Sequence, residues 1–486
     1  MKRLYCAALA LLLAGSLAAC GGRDESAPSA TAAPQPAATA ETAPAQESPA
    51  PAGDFYEVKD NYAMTPTFNA GDAYYLLDPR IGRYCLVTKI DYATAEQQVL
   101  CSVPGCAHDS DACPAYVPGY GREVALFTAG DKVYVYHSIA TMHYEGSWED
   151  YEAEVVRNRW EEKVAQAAQE GMTEEELLAS YRRRYAEQSA PAGLFIIDGD
   201  GASRREVTCT RDIGPNALRW CDGAALYGSE MQEGGQAVGY RVSLADGSVT
   251  TFALQPYEWV TAAEGNRLLT RRIVTQAPLP DPTIGENWEA YQAVLQTAVV
   301  EYDWLDPATG ERSKILERPH DGSTNGSMDF YGLWDGKLYF EEQTSASEGG
   351  PYQRSYSTYD SATGTWQDLP KPLPDPTMTV SDPAAPALPE IAARQGRYLR
   401  FHGSDNVYGE NLAWVLDQQT GELTAMPMEE NTDSGTPWAV TPCALTNDGR
   451  FLVQTAYREG GYDYALIDAE AFLQGSTDYT PVTMLQ

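Results

Sequence analysis

Seven times along residues 55–486 a polar turn runs directly into a short apolar and aromatic stretch. The copies are Gly71-Asp72-Ala73-Tyr74-Tyr75, Gly130-Asp131-Lys132-Val133-Tyr134, Asp222-Gly223-Ala224-Ala225-Leu226-Tyr227, Gly265-Asn266-Arg267-Leu268-Leu269, Asp335-Gly336-Lys337-Leu338-Tyr339, Gln395-Gly396-Arg397-Tyr398-Leu399 and Asp448-Gly449-Arg450-Phe451-Leu452. Each alternates with a second half-unit, a strand that ends in an Asp-x-x-Thr-Gly turn. That turn is complete at Asp306–Gly310, Asp360–Gly364 and Asp417–Gly421. Asp91 to Ala95 lacks only the glycine, and Ala245-Asp246-Gly247, Asp198-Gly199-Asp200-Gly201 and Ile467-Asp468 fill the equivalent slots in degraded form. In such turns the Asp side chain accepts from its own backbone and Gly takes the positive φ. Seven alternating pairs of short strands predict an all-β fold, a single β-propeller of four-stranded blades. Seven blades are favoured, with six or eight as alternatives. Val133 and Val135 alternate with Tyr134 and Tyr136, a pattern for strands packed on both faces by neighbouring blades.

The period changes from two to 3.6 in the second and fourth repeats, which predicts helical insertions there. Ser147-Trp148-Glu149-Asp150 and Thr173-Glu174-Glu175-Glu176 both read as capping boxes. They predict one helix running toward Gly171 and another to about Gln188, an insertion over about 147–190. The fourth repeat has a shorter counterpart near Asn287 to Thr297. The two insertions share Trp-Glu-x-Tyr-x-Ala, at Trp148–Ala153 and Trp288–Ala293. Both fall between the two halves of a unit, so both should project from one face. Pro278–Thr283 and Pro372–Thr377 repeat one proline-rich loop. Arg182, Arg183 and Arg184 read as a solvated helix face.

The N-terminus has a different character. Lys2 and Arg3 precede an apolar run from Leu4 to Leu17, too short for a membrane span. Leu17-Ala18-Ala19-Cys20 follows. These residues resemble a bacterial lipoprotein signal peptide with its lipobox. The resemblance implies that residues 1–19 are removed and that Cys20 carries the lipid, with an ordinary secretory signal as the alternative. Residues 20–54 are almost all Ala, Pro, Ser, Thr, Gln and Glu, which predicts a disordered tether beyond the lipidated Cys20. The expected location is the cell membrane, lipid-anchored on its extracytoplasmic face.

The net charge of the whole sequence is −35. Removing residues 1–19 takes away Lys2 and Arg3 and leaves about −37. A chain this acidic repels nucleic acid and anionic lipid, so nucleic acid is excluded as a partner.

Cysteine usage raises one chemical question. Cys101, Cys106, His108 and Cys113 lie within thirteen residues, with Pro104-Gly105 folding the segment back on itself. Such a set suits a structural zinc ion of the Cys3His type. A disulfide loop is one alternative, since disulfides persist outside the cytoplasm, and free thiols are another. Of nine cysteines Cys6 leaves with the signal and Cys20 is acylated, so seven remain. A metal site would use three and leave Cys209 with Cys221, and Cys85 with Cys443, as candidate disulfides. The second pair would latch the first repeat to the last. The same segment, with Cys113-Pro114-Ala115-Tyr116 at its end, is similar to one in a group of surface lipoproteins from clostridia-like Gram-positive bacteria. Their function is largely unassigned, so the likeness implies a Gram-positive cell surface and no catalytic residues. Tyr302-Asp303-Trp304-Leu305-Asp306 is similar to the strand motif of six-bladed receptor-type propellers and to the Trp-Asp of WD repeats, in this one unit.

No catalytic motif is present: the sequence holds no His-Glu-x-x-His, no Gly-x-Ser-x-Gly, no P-loop and no dinucleotide fingerprint. Asp198-Gly199-Asp200-Gly201 begins like a calcium loop, but Ala202 and Ser203 break it, and it reads as a hairpin turn. The sequence therefore leads to a surface-anchored propeller that binds or scaffolds a cell-surface protein, peptide or glycan. The alternative is a propeller glycoside hydrolase or lyase working with paired carboxylates.

Overall fold

The computed structural model describes residues 52–58, 66–80, 84–118, 122–140, 142–280, 287–320, 328–345, 352–369, 390–402, 413–429, 438–458 and 461–485. The lipobox with Cys20, nearly all of the tether, and Pro372–Thr377 lie outside them. Among the described residues no helix is long and apolar enough to cross a membrane.

Seven antiparallel sheets of four or five strands follow one another along the chain, their main strands in sequence order, with a two-stranded ribbon of Met428–Glu429 and Trp438–Ala439 beside them. After a short β1 (Tyr56–Glu57), the first blade holds β2 (Thr67–Asn69), β3 (Ala73–Arg80), β4 (Tyr84–Asp91), β5 (Glu96–Val99) and β6 (Tyr116–Pro118). The second holds β7 (Arg122–Ala129), β8 (Lys132–Ala140), β9 (Gly193–Asp198) and β10 (Arg204–Thr208). The third holds β11 (Leu218–Cys221), β12 (Ala225–Met231), β13 (Ala237–Ser243) and β14 (Val249–Ala253). The fourth holds β15 (Glu258–Glu264), β16 (Arg267–Val274), β17 (Val299–Leu305) and β18 (Arg312–Pro319). Blades five, six and seven span 328–368, 390–425 and 441–481. The chain is a seven-bladed β-propeller.

All seven turn glycines of the first half-motif have positive φ, from 54° at Gly265 to 86° at Gly71 and Gly223. Asp306 shows why the second half-motif ends as it does. Its carboxylate accepts from the Ala308 and Thr309 amides at 2.8 and 3.2 Å. Gly310 then turns at φ 73°. Where glycine is missing, Ala95 adopts φ 55° itself. Asp198 forms a hairpin turn with Gly201 and an ion pair with Lys132 at 2.6 Å.

The hydrophobic core is divided among the interfaces between blades. Val133 and Val135 pack against the first blade, while Tyr134 and Tyr136 join a cluster with the third. Later clusters join blades three to five, five to six, and six to seven. One more unites Tyr74, Leu76 and Ile90 of the first blade with Leu452, Tyr464 and Leu466 of the seventh, closing the ring. Hydrogen bonds of the last residues add to this packing. Thr483 donates to Ala95 and accepts from Gln97, both at 2.9 Å, and Leu485 donates to the Gln97 side chain at 3.1 Å.

No disulfide takes part in that closure: all seven cysteines of the body are free thiols. Cys85 and Cys443 are not bridged, and neither are Cys209 and Cys221. The latter two pack in one apolar cluster, where burial pushes their thiols up to about 12 and about 11.

Of the two helices expected in the second blade's insertion, the second forms as one piece and the first is broken. Both capping boxes form, at Ser147 with Asp150 and at Thr173 with Glu176. Helix α1 (Trp148–Tyr151), however, runs into a π turn over Glu152–Val156, and Arg159 turns left-handed at φ 56° before α2 (Trp160–Gln169) begins. The break turns Trp160 toward α3 (Glu174–Ser189), where its indole N–H donates to Glu174 at 3.0 Å. Lys163 caps the interrupted helix by donating to the Val155 carbonyl at 2.6 Å. The fourth blade's insertion is one short helix, α4 (Trp288–Leu295).

Candidate metal centre and the face bearing the cleft

The outer strand of the first blade is split in two. β5 pairs with Thr88–Asp91 of β4, and β6 pairs with Tyr84–Leu86 of the same strand. The cysteine-rich loop 100–115 is thus an excursion from within a strand. Val87 holds both of its ends. Its carbonyl accepts from Leu100 at 2.9 Å and its amide donates to Ala115 at 2.8 Å.

Inside this pinched loop the Cys106 amide donates to the Val103 carbonyl at 3.2 Å, across a turn in which Gly105 has φ 72°. His108 follows with φ 58°, a left-handed conformation uncommon for a non-glycine residue. That conformation brings the His108 ring back over the loop, with Nδ1 3.3 Å from Cys113 Sγ. The ligand atoms of Cys101, Cys106, His108 and Cys113 all lie within 4.8 Å of one another. Four such donors form a group that can hold a metal ion. The backbone N–H of His108 donates to the Cys106 sulfur and keeps that thiol below its ordinary range. Burial pushes the Cys113 thiol up to about 12, against a hydrogen bond from the Ala115 amide.

A second feature was invisible in the sequence. Antiparallel order sends the first-to-second and third-to-fourth turns of every blade to one face, here the turn face. The helical insertions and the connections between blades open on the other. On that second face a cleft of about 420 Å³ lies between blades three and four. Its lining includes Asn216, Arg219, Trp220, Ser229, Met231 and Trp259. Arg271 lies over the Trp259 ring at 5.2 Å, and Arg219 pairs with Glu57 of β1 at 2.6 Å. These residues sit on four separate elements, so no local motif announces them.

β1 itself hydrogen-bonds to β11, the first strand of the third blade, and runs antiparallel to it. The chain therefore enters the folded body on the turn face. There the Ala52 amide donates to Asp222 at 2.9 Å and the Phe55 amide to the Gly265 carbonyl at 2.7 Å. Tyr56 donates to the Thr128 carbonyl of the second blade at 2.6 Å.

Three buried acids gather on the fourth blade. Glu258 pairs with Arg312 at 2.8 Å, and Glu301 with Arg272 and with Lys314. Burial alone would raise the Glu301 pKa, but Lys314 and Arg272 hold it below the ordinary carboxylate range. Asp303 sits two residues along the same strand face. Its Oδ1 is buried without a hydrogen-bond partner, and burial, then Glu301 and Glu258, push its pKa up. Cross-strand register explains the grouping, because Glu258, Arg272, Glu301 and Glu317 are direct neighbours on β15 to β18.

No known protein family and no curated sequence matches the chain. Among solved structures, the β-propeller domain of the trilobed protease from Pyrococcus furiosus is similar over 88% of this chain and 98% of its own, with 8% identity and a TM-score of 0.42. A puromycin-hydrolysing peptidase of Mycobacterium tuberculosis is similar over 91% of this chain and 56% of its own, with 11% identity and a TM-score of 0.40. An oligogalacturonate lyase in complex with manganese is similar over 61% of this chain and 72% of its own, with 13% identity and a TM-score of 0.33. These are likenesses of fold.

Proposed function

We propose that this protein is a lipid-anchored propeller of the extracytoplasmic membrane face that binds a peptide or glycan in the cleft between blades three and four. The observation that carries this reading is the polarity of the body. The chain enters on the turn face at Ala52, while the cleft and both helical insertions belong to the opposite face. Residues 52–55 therefore meet the body on the face opposite the cleft. The lining supports binding: two indoles and a thioether offer apolar contact, and a guanidinium, a carboxamide and a hydroxyl offer directional hydrogen bonds.

Two measurements test this. Cys20→Ala should move the protein from the membrane fraction to the medium and abolish incorporation of a fatty-acid label. The purified body, probed against arrayed glycans and peptides, should bind a defined subset and lose it on Trp259→Ala. Turnover of the bound ligand, lost on changing one carboxylate, would replace this reading with the hydrolase or lyase alternative.

The Cys3His group is, in this reading, a structural zinc centre of the module. With the metal bound, three thiolates and one imidazole would supply four ligands, enough for a tetrahedral zinc with no open position for substrate. Metal analysis of protein prepared under reducing conditions should return one zinc per chain. A Cys106→Ser, His108→Ala double variant should return none.

A further inference from the structure

We propose that the metal held by Cys101, Cys106, His108 and Cys113 acts as a clasp between the first and second blades. The inference rests on the zinc reading above and adds what the metal does. A tetrahedral zinc with bonds to sulfur of about 2.3 Å sets neighbouring donor atoms about 3.8 Å apart. The four donors already lie within 4.8 Å of one another, so metal uptake asks only for a small contraction. Two sulfurs already receive backbone N–H groups, from His108 and from Ala115. A disulfide would need two cysteines alone. Here the imidazole is turned in as well, on a left-handed backbone that a disulfide does not require.

The loop spends its outward-facing polar groups on the second blade. The Ser102 amide donates to the Gly201 carbonyl at 3.0 Å, in the turn between β9 and β10. Arg204, the first residue of β10, donates to the Asp111 carbonyl at 3.1 Å and to the Tyr116 carbonyl. One arginine thus grips the loop on both sides of Cys113. The Tyr116 carbonyl belongs to β6 and is held by the sheet, but the Asp111 carbonyl is fixed only if the loop between Cys101 and Cys113 keeps one shape. Apart from its pinch at Val87, the loop is largely exposed, and few buried apolar side chains stiffen it. Four metal bonds would supply that stiffness. Gly201 approaches closely enough that a Cβ there would lie 2.7 Å from the Cys101 amide nitrogen, so the junction has no slack.

Hydrogen exchange on the full chain tests the clasp, comparing zinc-loaded protein with protein stripped by a chelator. Stripping should speed amide exchange at least tenfold in peptides covering 100–118 and also in those covering 204–208, while 337–342 in the fifth blade stays unchanged. Adding back Zn2+ should restore both regions. Faster exchange confined to 100–118 would overturn the clasp and leave the zinc site standing. Absence of bound zinc, with a mass two hydrogens lighter, would overturn the zinc reading itself in favour of a disulfide. Arg204→Ala separates the two ideas again: it should loosen 204–208 in loaded protein without lowering zinc content.

Discussion

Asp222 holds the start of the folded body: Oδ2 of its buried carboxylate accepts both the Ala52 amide at 2.9 Å and the Tyr227 hydroxyl at 3.0 Å. The same carboxylate caps its own turn through the Ala224 and Ala225 amides at 2.8 and 2.7 Å. One side chain thus fixes a repeat turn and the strand that arrives beside it. Asp222→Ala should lower stability by about 3 kcal/mol, because buried donors lose a charged acceptor. Chemical denaturation measures the loss, and limited proteolysis should show earlier cutting within 52–58. Asp222→Asn, which keeps the shape, should fall between the two.

The acids of the fourth blade give a pH dependence of known sign. Asp303 has a raised folded pKa, so its ionised form is disfavoured by folding. The penalty is absent below the ordinary carboxylate pKa, grows as pH rises through the raised value, and is complete above it. Asp303→Asn should therefore stabilise the protein at neutral pH, by on the order of 1 kcal/mol, and the gain should vanish in acid. Denaturation midpoints of both proteins from pH 4 to pH 8 decide the matter.

Arg272→Ala should act in the opposite direction. Glu301 would remain buried with Lys314 as its sole remaining ion-pair partner. A destabilisation of about 3 kcal/mol is expected at neutral pH. Glu301 has a lowered folded pKa, so the contribution of its partners is present above the ordinary carboxylate value and fades as pH falls through the folded one. The deficit of the variant should shrink accordingly in acid.

Deleting residues 480–486 should open the ring. The deletion removes the two hydrogen bonds of Thr483, the one from Leu485, and the buried Val482. At about 1 kcal/mol for each hydrogen bond, plus about 2 kcal/mol for the valine, a clear drop in melting temperature is expected. Calorimetry on the truncated body checks it.

The two capping boxes can be read locally. Ser147→Ala and Thr173→Ala should each weaken their helix by about 1 kcal/mol. Hydrogen exchange should rise in 147–156 and in 174–180 respectively, with the blades unaffected.

Much of the ring was legible because each blade repeats its own punctuation. Gly71, Gly130, Gly223 and their four counterparts mark left-handed turns that little else can fill, and Val133 to Tyr136 show the alternation of a strand with two buried faces. The missing parts have physical reasons too. Tyr56-Glu57 is too short to carry a period, so its pairing with Trp220 and Cys221 depends on tertiary contact alone. β5 and β6 have four and three residues, and the loop between them hides that they are one strand. Arg159 breaks a helix where no glycine or proline gives notice. For the candidate sites, the metal group was compact in sequence and readable. The cleft draws on a short 3-10 turn and ordinary strand residues from 216 to 260 and carries no signature.

The alternation on β8 has a consequence for how such a chain can change. Neighbouring residues of one strand belong to two different cores, so a blade is not a separable part with an interior of its own. Removing or exchanging one blade would leave two half-cores facing solvent. Unfolding should then be a single event around the ring, and a lineage of such proteins can diversify at the ends of its strands far more readily than in the number of its blades.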